Sequence, residues 1–256
     1  MRPLATRLRA AVPPAFGALS LVAFLATVEM LLRVGVLNRF IVPFPSEAIL
    51  SISRLFIDEH LAVRCIQTAS KIVVAVVIIA VVGIPIGTAL HTWVIARRAY
   101  YSWFAGLASA PLVILYPLFL VLLGRGTGAI VLMAGIAGLT PVVLKTIEGL
   151  QSTPVGLVKL GKTMQLSNFG LFSKILLPAA LPAIFSGLRI GLIYCTTNIV
   201  ALEFLIDFDG VGQLINLLSY RYDLPGTYAA IAFAILVCAT ILLATDGAER
   251  WVKRTL

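Results

Sequence analysis

Six long apolar runs, almost free of charge, decide what this chain can fold into. They cover residues 16–36, 71–90, 101–123, 127–144, 183–206 and 228–244. A helix needs about 20 mostly apolar residues to cross a hydrocarbon core roughly 30 Å thick. Inside that core the backbone must satisfy its own hydrogen bonds, so only helices and closed barrels span. Barrel strands alternate over about ten residues, whereas these runs are continuous. Only 12% of the 256 residues are charged, against about 25% in soluble domains. The expectation is an all-α polytopic membrane protein with six transmembrane helices. It forms one transmembrane domain over 1–256, with its core over about 66–245. The fourth and sixth runs are short and are expected to extend into their flanks.

The formal charge of +9 does not point to nucleic acid, because the basic residues cluster at the ends of the apolar runs, where they act as topology signals. With the N-terminus inside, the cytoplasmic segments hold Arg2, Arg7, Arg9, Arg97, Arg98, Lys145, Lys159, Lys162, Lys174, Arg250, Lys253 and Arg254. The outer segments hold only Arg39, Arg54, Arg64, Arg125 and Arg221. Both termini are therefore expected in the cytoplasm. The first run is too long for a signal-peptide core of about 7–15 residues, so it reads as a retained span. Cys65, Cys195 and Cys238 are scattered and read as small apolar residues. His60 and His91 have no ligating neighbours, and no metal site is expected. No nucleophile elbow, zinc helix or nucleotide loop is present, so no catalytic centre is expected.

Two outer segments carry local signals. Ser46 reads as an N-cap with Glu47 in the first turn. Ala48, Ile49, Ile52, Leu55 and Phe56 then recur at helical spacing. This helix either lies on the outer membrane surface or packs on the bundle. The segment from Asp207 through Asp209, Gly210 and Gly212 suits a turn. A glycine-rich phosphate cradle is the sharper reading, but no Lys-Ser/Thr follows it.

Within the spans, Glu29 and Arg33 stand four apart and can pair on one helix face. Lys71 sits near the outer start of the second span, where snorkelling is expected. Glu203 is an intramembrane acid, a costly position that marks a gate, a subunit contact or a pathway; the bland reading puts it near the outer end, reaching water. Arg189 either snorkels or lines an inner vestibule. Thr196, Thr197 and Asn198 form a polar patch that serves as helix glue or lines a translocation path. Pro85, Pro117 and Pro141 fall within spans and are expected to kink them.

The segment 157–178 is a polar, basic island of short-helix character, ending at Leu177-Pro178, Leu181-Pro182 and another apolar run. Together with several other stretches it resembles the permease subunits of binding-protein-dependent ABC importers. The nearest branch is the one serving nitrate, sulfonates, taurine and bicarbonate. The stretches are Pro43-Phe-Pro-Ser-Glu-Ala-Ile49, Thr68-Ala-Ser-Lys71 with Gly83-Ile-Pro-Ile-Gly87, and Pro111 to Pro117 with Leu123-Gly-Arg-Gly126. Ile175 to Pro182, Gly187-Leu-Arg189, Ala201-Leu-Glu203 and Gly210-Val-Gly212 complete the series.

The resemblance implies a type I importer-like bundle with a cytoplasmic coupling loop over about 146–178. The residues implied to contact the ATPase are Lys159, Gly161, Gln165, Leu166, Ser167, Phe169, Leu171 and Phe172. The family loop reads Glu-Ala-Ala, three residues, then Gly; here Lys159 stands at the Glu and Gln165 at the Gly. Gly permits φ > 0 there, so the departure bears on the loop's turn and on its charge. It suggests pairing with a second, different permease, against the alternative of a homodimer that tolerates the change. The implied partners are two ATP-binding cassette subunits, a second permease, a periplasmic or lipid-anchored solute-binding protein and the lipid of a bacterial inner membrane. This chain is expected to bind no cofactor, with ATP and Mg on the ATPase. The implied solute is a small polar molecule such as nitrate or a sulfonate. The rivals are an ion-coupled secondary transporter and a non-transporting partner subunit.

Overall fold

The computed structural model describes residues 4–255; Arg2, one of the topology signals, lies outside them. The described chain is helical, in the order α1 (Leu4–Arg33), α2 (Pro45–Ile57), α3 (Leu61–Thr92), α4 (Val94–Ser109), α5 (Tyr116–Leu123), α6 (Thr127–Gln151), α7 (Val155–Thr163), α8 (Asn168–Leu171), α9 (Leu177–Ile206), α10 (Val211–Tyr220) and α11 (Leu224–Thr255). Among the described residues, α3, α6, the helix containing α9 and the start of α11 are each long and apolar enough to cross a membrane. Helix α1 carries the first apolar run and stops at Arg33.

The third run is not the straight span expected. Helices α4 and α5 meet at an angle of 86°. The break is local chemistry. Ala110 is extended, with ψ at 133°, ahead of Pro111, as the residue before a proline prefers. A 3-10 turn, Leu112–Leu115, follows, and Pro117 then sits in the first turn of α5, where its missing N–H is not needed. Pro117 thus starts a helix rather than kinking one. The fourth run extends at its C-terminal end, as expected, to Gln151.

Helix α6 lies at the centre of the bundle, with 67% of its most apolar stretch buried against 28% for α3 and 22% for α11. It is clasped by α3 and α9 through Ile72, Ile79, Ile130, Val142, Cys195 and Ile199. Lipid is as apolar as leucine, so small residues that let backbones approach bring such helices together. A Cβ on Gly191 would stand 2.7 Å from the Gly138 carbonyl oxygen, and one on Gly87 would stand 2.6 Å from Thr146 Cβ. The outer faces carry exposed Ile66, Val73 and Val81, as a lipid-facing surface should.

A second core caps the bundle at the C-terminal end of α9. Leu55 of α2, Leu61 of α3, Val211, Leu214 and Leu218 of α10, and Ala229 and Ala230 of α11 are buried together. The pattern of α2 left two packings open, and the structure resolves one face: Leu55 is buried and Phe56 meets Phe233 edge-on at 5.5 Å. Leu50 and Ile57 on the same helix remain exposed. Ser46 is not the N-cap. Phe44 holds that position, Pro45 opens the helix, and no side chain caps it. The Ser46 hydroxyl instead donates to the Glu29 carboxylate at 3.0 Å. Glu29 also takes the expected i,i+4 bond from Arg33, at 2.7 Å.

Candidate functional site

Helix α9 has 30 residues, about 45 Å at 1.5 Å per residue, and a distinct polar assembly stands at each end. At its N-terminal end lie α7, α8 and a π-helical turn, Phe172–Leu176, that runs directly into α9. Helix α7 ends in a paired-bond cap: Gln165 N–H donates to the Lys162 carbonyl at 3.0 Å and Leu166 N–H to the Gly161 carbonyl at 3.1 Å. That bond pair is a Schellman motif, whose turning residue is left-handed and usually Gly. Here the turning residue is Gln165, with φ at 56°. The glycine-type turn therefore survives without its glycine. Ser167 caps α8, its hydroxyl oxygen accepting from the Gly170 N–H at 3.1 Å.

The residues implied for ATPase contact divide into two sets. Gly161 is buried, and a Cβ there would stand 2.6 Å from Leu171 Cδ1. Leu166, Leu171 and Phe172 are half-buried, and Phe172 packs beside Leu150, Ala180 and Ile184 at the root of α9. These residues build the loop. Lys159, Gln165, Ser167 and Phe169 face outward. Around them Leu160, Met164 and Val155 are also exposed, and Phe169 is 79% exposed. Sequence reasoning did not single out Val155, Leu160 or Met164. The amphipathic spacing of the short α7 was the signal available. The otherwise polar loop thus exposes several apolar side chains.

At the C-terminal end the sequence reading needs correction. Lys71 does not snorkel: it is 3% exposed, and its ammonium donates to Glu203 at 2.8 Å and to the Asp209 carbonyl at 2.9 Å. Glu203 does not reach water, being fully buried. Its other carboxylate oxygen accepts from the Thr68 hydroxyl at 2.8 Å and from the Gly212 N–H at 3.1 Å. The Thr68 hydroxyl oxygen in turn accepts from the Val211 N–H at 2.9 Å. Gly212 is in the first turn of α10, where orphan N–H groups and the helix dipole favour an anion. The glycine-rich segment makes the turn expected of it and is no phosphate cradle; the N–H it presents is taken by the chain's own Glu203.

The polar patch on α9 separates in the structure. The Thr197 hydroxyl donates to the Ile193 carbonyl and the Asn198 amide to the Tyr194 carbonyl, both within α9. Neither bridges helices. Thr196 is buried, and its hydroxyl has no partner among the described residues. Thr196 and Thr197 line a groove of about 680 Å³ between α9 and α11, with Val200, Phe204, Ile231 and Ile235 on its walls. Asn198, Glu203 and Arg189 are not on that wall; Arg189 is half-buried nearer the N-terminal end of α9. Among the described residues no group of three or more His, Cys, Asp or Glu could hold a metal.

The chain is similar to several transport permeases. It is 30% identical over 144 residues to the riboflavin transport system permease protein RibX of Chloroflexus aurantiacus, covering 56% of this chain and 54% of that protein. It is 30% identical over 158 residues to the nitrate import permease protein NrtB of a Synechocystis species, covering 62% and 58%. It is 28% identical over 160 residues to the bicarbonate transport system permease protein CmpB of Synechocystis, covering 62% and 57%. The matches thus span a little more than half the length of these relatives. Its fold matches that of the methionine ABC transporter MetNI in an inward-facing conformation. The TM-score is 0.66 at 22% identity, covering 75% of this chain and 96% of that one. The model of the family described as binding-protein-dependent transport system inner membrane component matches residues 80–256, and with this bundle of helices the chain belongs to that family.

Proposed function

We propose that the chain is the permease subunit of an ABC importer for a small polar solute. In this reading the whole chain is a single transmembrane domain with both termini in the cytoplasm. Its inner loop, about 146–178, takes up the motion of a separate ATPase. The exposed apolar patch on α7 and α8, set on a loop that runs directly into α9, carries the reading. Lys159, Gln165, Ser167 and Phe169 meet the ATPase, while Gly161, Leu166, Leu171 and Phe172 hold the loop rigid enough to transmit force. The ATPase binds ATP and Mg; this chain supplies two states with different contacts to it. Two permeases and two ATPases assemble, and a binding protein delivers solute from outside.

The nitrate and bicarbonate relatives support an anionic solute, and the riboflavin relative supports a broader range. The face of α9 that carries Thr196 and Thr197 is our choice for the solute path. The test is purification from bacterial membranes with co-expressed neighbouring subunits, then reconstitution into liposomes. ATP-dependent uptake of labelled nitrate or of another small solute, abolished when hydrolysis is blocked, is the expected result. Uptake that persists without hydrolysis would establish an ion-coupled transporter instead. The number of permease polypeptides in the purified complex separates a homodimer from a heterodimer.

A further inference from the structure

We infer that Thr68, Lys71 and Glu203 form a buried latch that fixes α10 to the outer ends of α3 and α9, so that the outer cap travels with these helices as one body. The three residues come from two spans, and each reaches across to the α9–α10 segment. Thr68 holds the Val211 N–H, Glu203 holds the Gly212 N–H, and Lys71 holds the Asp209 carbonyl. The arrangement has a fixed polarity. Backbone N–H groups aim at the carboxylate and a backbone carbonyl aims at the ammonium, so the pair organises the backbone as well as neutralising itself.

The glycines fit this purpose. Gly210 has φ at +103°, a conformation that side chains rarely adopt, and a Cβ there would collide with the Glu203 carboxylate. A Cβ on Gly212 would stand 2.7 Å from Glu203 Cβ. Further ties run in the same direction. Arg64 of α3 donates to Gln213 of α10 at 2.8 Å, and Arg221, just past α10, pairs with Glu59, just before α3, at 2.7 Å. Arg125 bonds the Asp207 carbonyl. By contrast, α10 meets α11 through Ala229, Ala230 and Ala234. The polar ties thus join α10 to α3 and α9, whereas its contact with α11 is apolar. Thr68, Lys71 and Glu203 are positioning residues in this account.

The inference uses the proposed ATP-driven cycle, and its test has two separable arms. In the first, hydrogen exchange is followed by mass spectrometry on the detergent-purified full chain. The expected result is that 209–213 exchange slowly, and that Glu203→Gln speeds them at least tenfold. Fast exchange in the unmodified chain, or no change in the variant, overturns the latch. In the second, Arg64→Cys and Gln213→Cys are joined by a short bismaleimide in the complete complex. Cys65, Cys195 and Cys238 are replaced by serine in this background. If α10 moves with α3, the cross-link leaves ATP turnover within about twofold, since it bridges groups that never separate. A tenfold or greater loss overturns the single-body motion. The second arm needs no latch variant to fold. If no ATPase co-purifies, the proposed function fails, and the exchange arm still decides the latch.

Discussion

The two ends of α9 solve opposite problems with the same kind of material. At the C-terminal end, the buried charges find their partners within the chain: Lys71 and Glu203 are 3% and 0% exposed and pair with each other. At the N-terminal end, Val155, Leu160, Met164 and Phe169 are apolar yet exposed. One region pairs its buried charges within the chain; the other leaves apolar side chains exposed. Residue type alone would not have told the two apart.

Breaking the C-terminal end should give the largest effect on stability. Lys71→Met leaves the Glu203 carboxylate buried without its counter-charge, and such a loss costs about 3–5 kcal/mol. Thermal unfolding in detergent should show it as a large downward shift. Replacing both members, as Lys71→Met with Glu203→Leu, should cost less than the single change, because no uncompensated charge remains. If the single and double variants unfold together, the ion pair is not what holds this end.

The helix crossing between the two ends is the next target. Gly191→Val places side-chain atoms against the Gly138 backbone, and overpacking of this kind costs about 1–3 kcal/mol. The same unfolding assay should show a smaller loss than Lys71→Met does. At the N-terminal end, Phe169→Asp should leave the unfolding temperature unchanged, since the ring is 79% exposed. It should lower ATP-driven uptake by roughly tenfold, the equivalent of about 1.4 kcal/mol of lost contact. A drop in stability without a drop in uptake would reverse the assignment of that residue. Gln165→Gly should have the smallest effect. A left-handed non-glycine residue costs about 1–2 kcal/mol, offset by glycine's greater freedom in the unfolded chain. A gain below about 1 kcal/mol is expected.

The spans and the fold class were legible because burial in lipid leaves few choices of backbone. The charge asymmetry then suggested which ends face the cytoplasm. The bend at Pro111 was harder to read: hydropathy averages over a run and does not register a single missing N–H. Glu29 and Arg33 could be paired from spacing alone, because both lie on one helix. Lys71 and Glu203 are 132 positions apart, and local pattern holds no information about such a contact; the separate readings of snorkelling and gating followed from that. The glycine-rich segment was read as a turn, with a phosphate cradle set aside for want of a following Lys-Ser/Thr; that its N–H groups hold the chain's own Glu203 needed the tertiary structure. In the loop between α6 and α9, the motif count placed Gln165 at the turn, and its φ of 56° agrees. The division of that loop into buried and exposed residues required the structure, since Leu171 and Phe169 are similarly apolar.

In the proposed function the loop between α6 and α9 touches a motor on the cytoplasmic side. A photo-reactive phenylalanine analogue placed at Phe169 in the intact complex, in native membranes, tests this directly. Irradiation should yield a covalent adduct between this chain and an ATP-binding cassette subunit. An adduct with a protein on the outer side, or none with the ATPase, would contradict it.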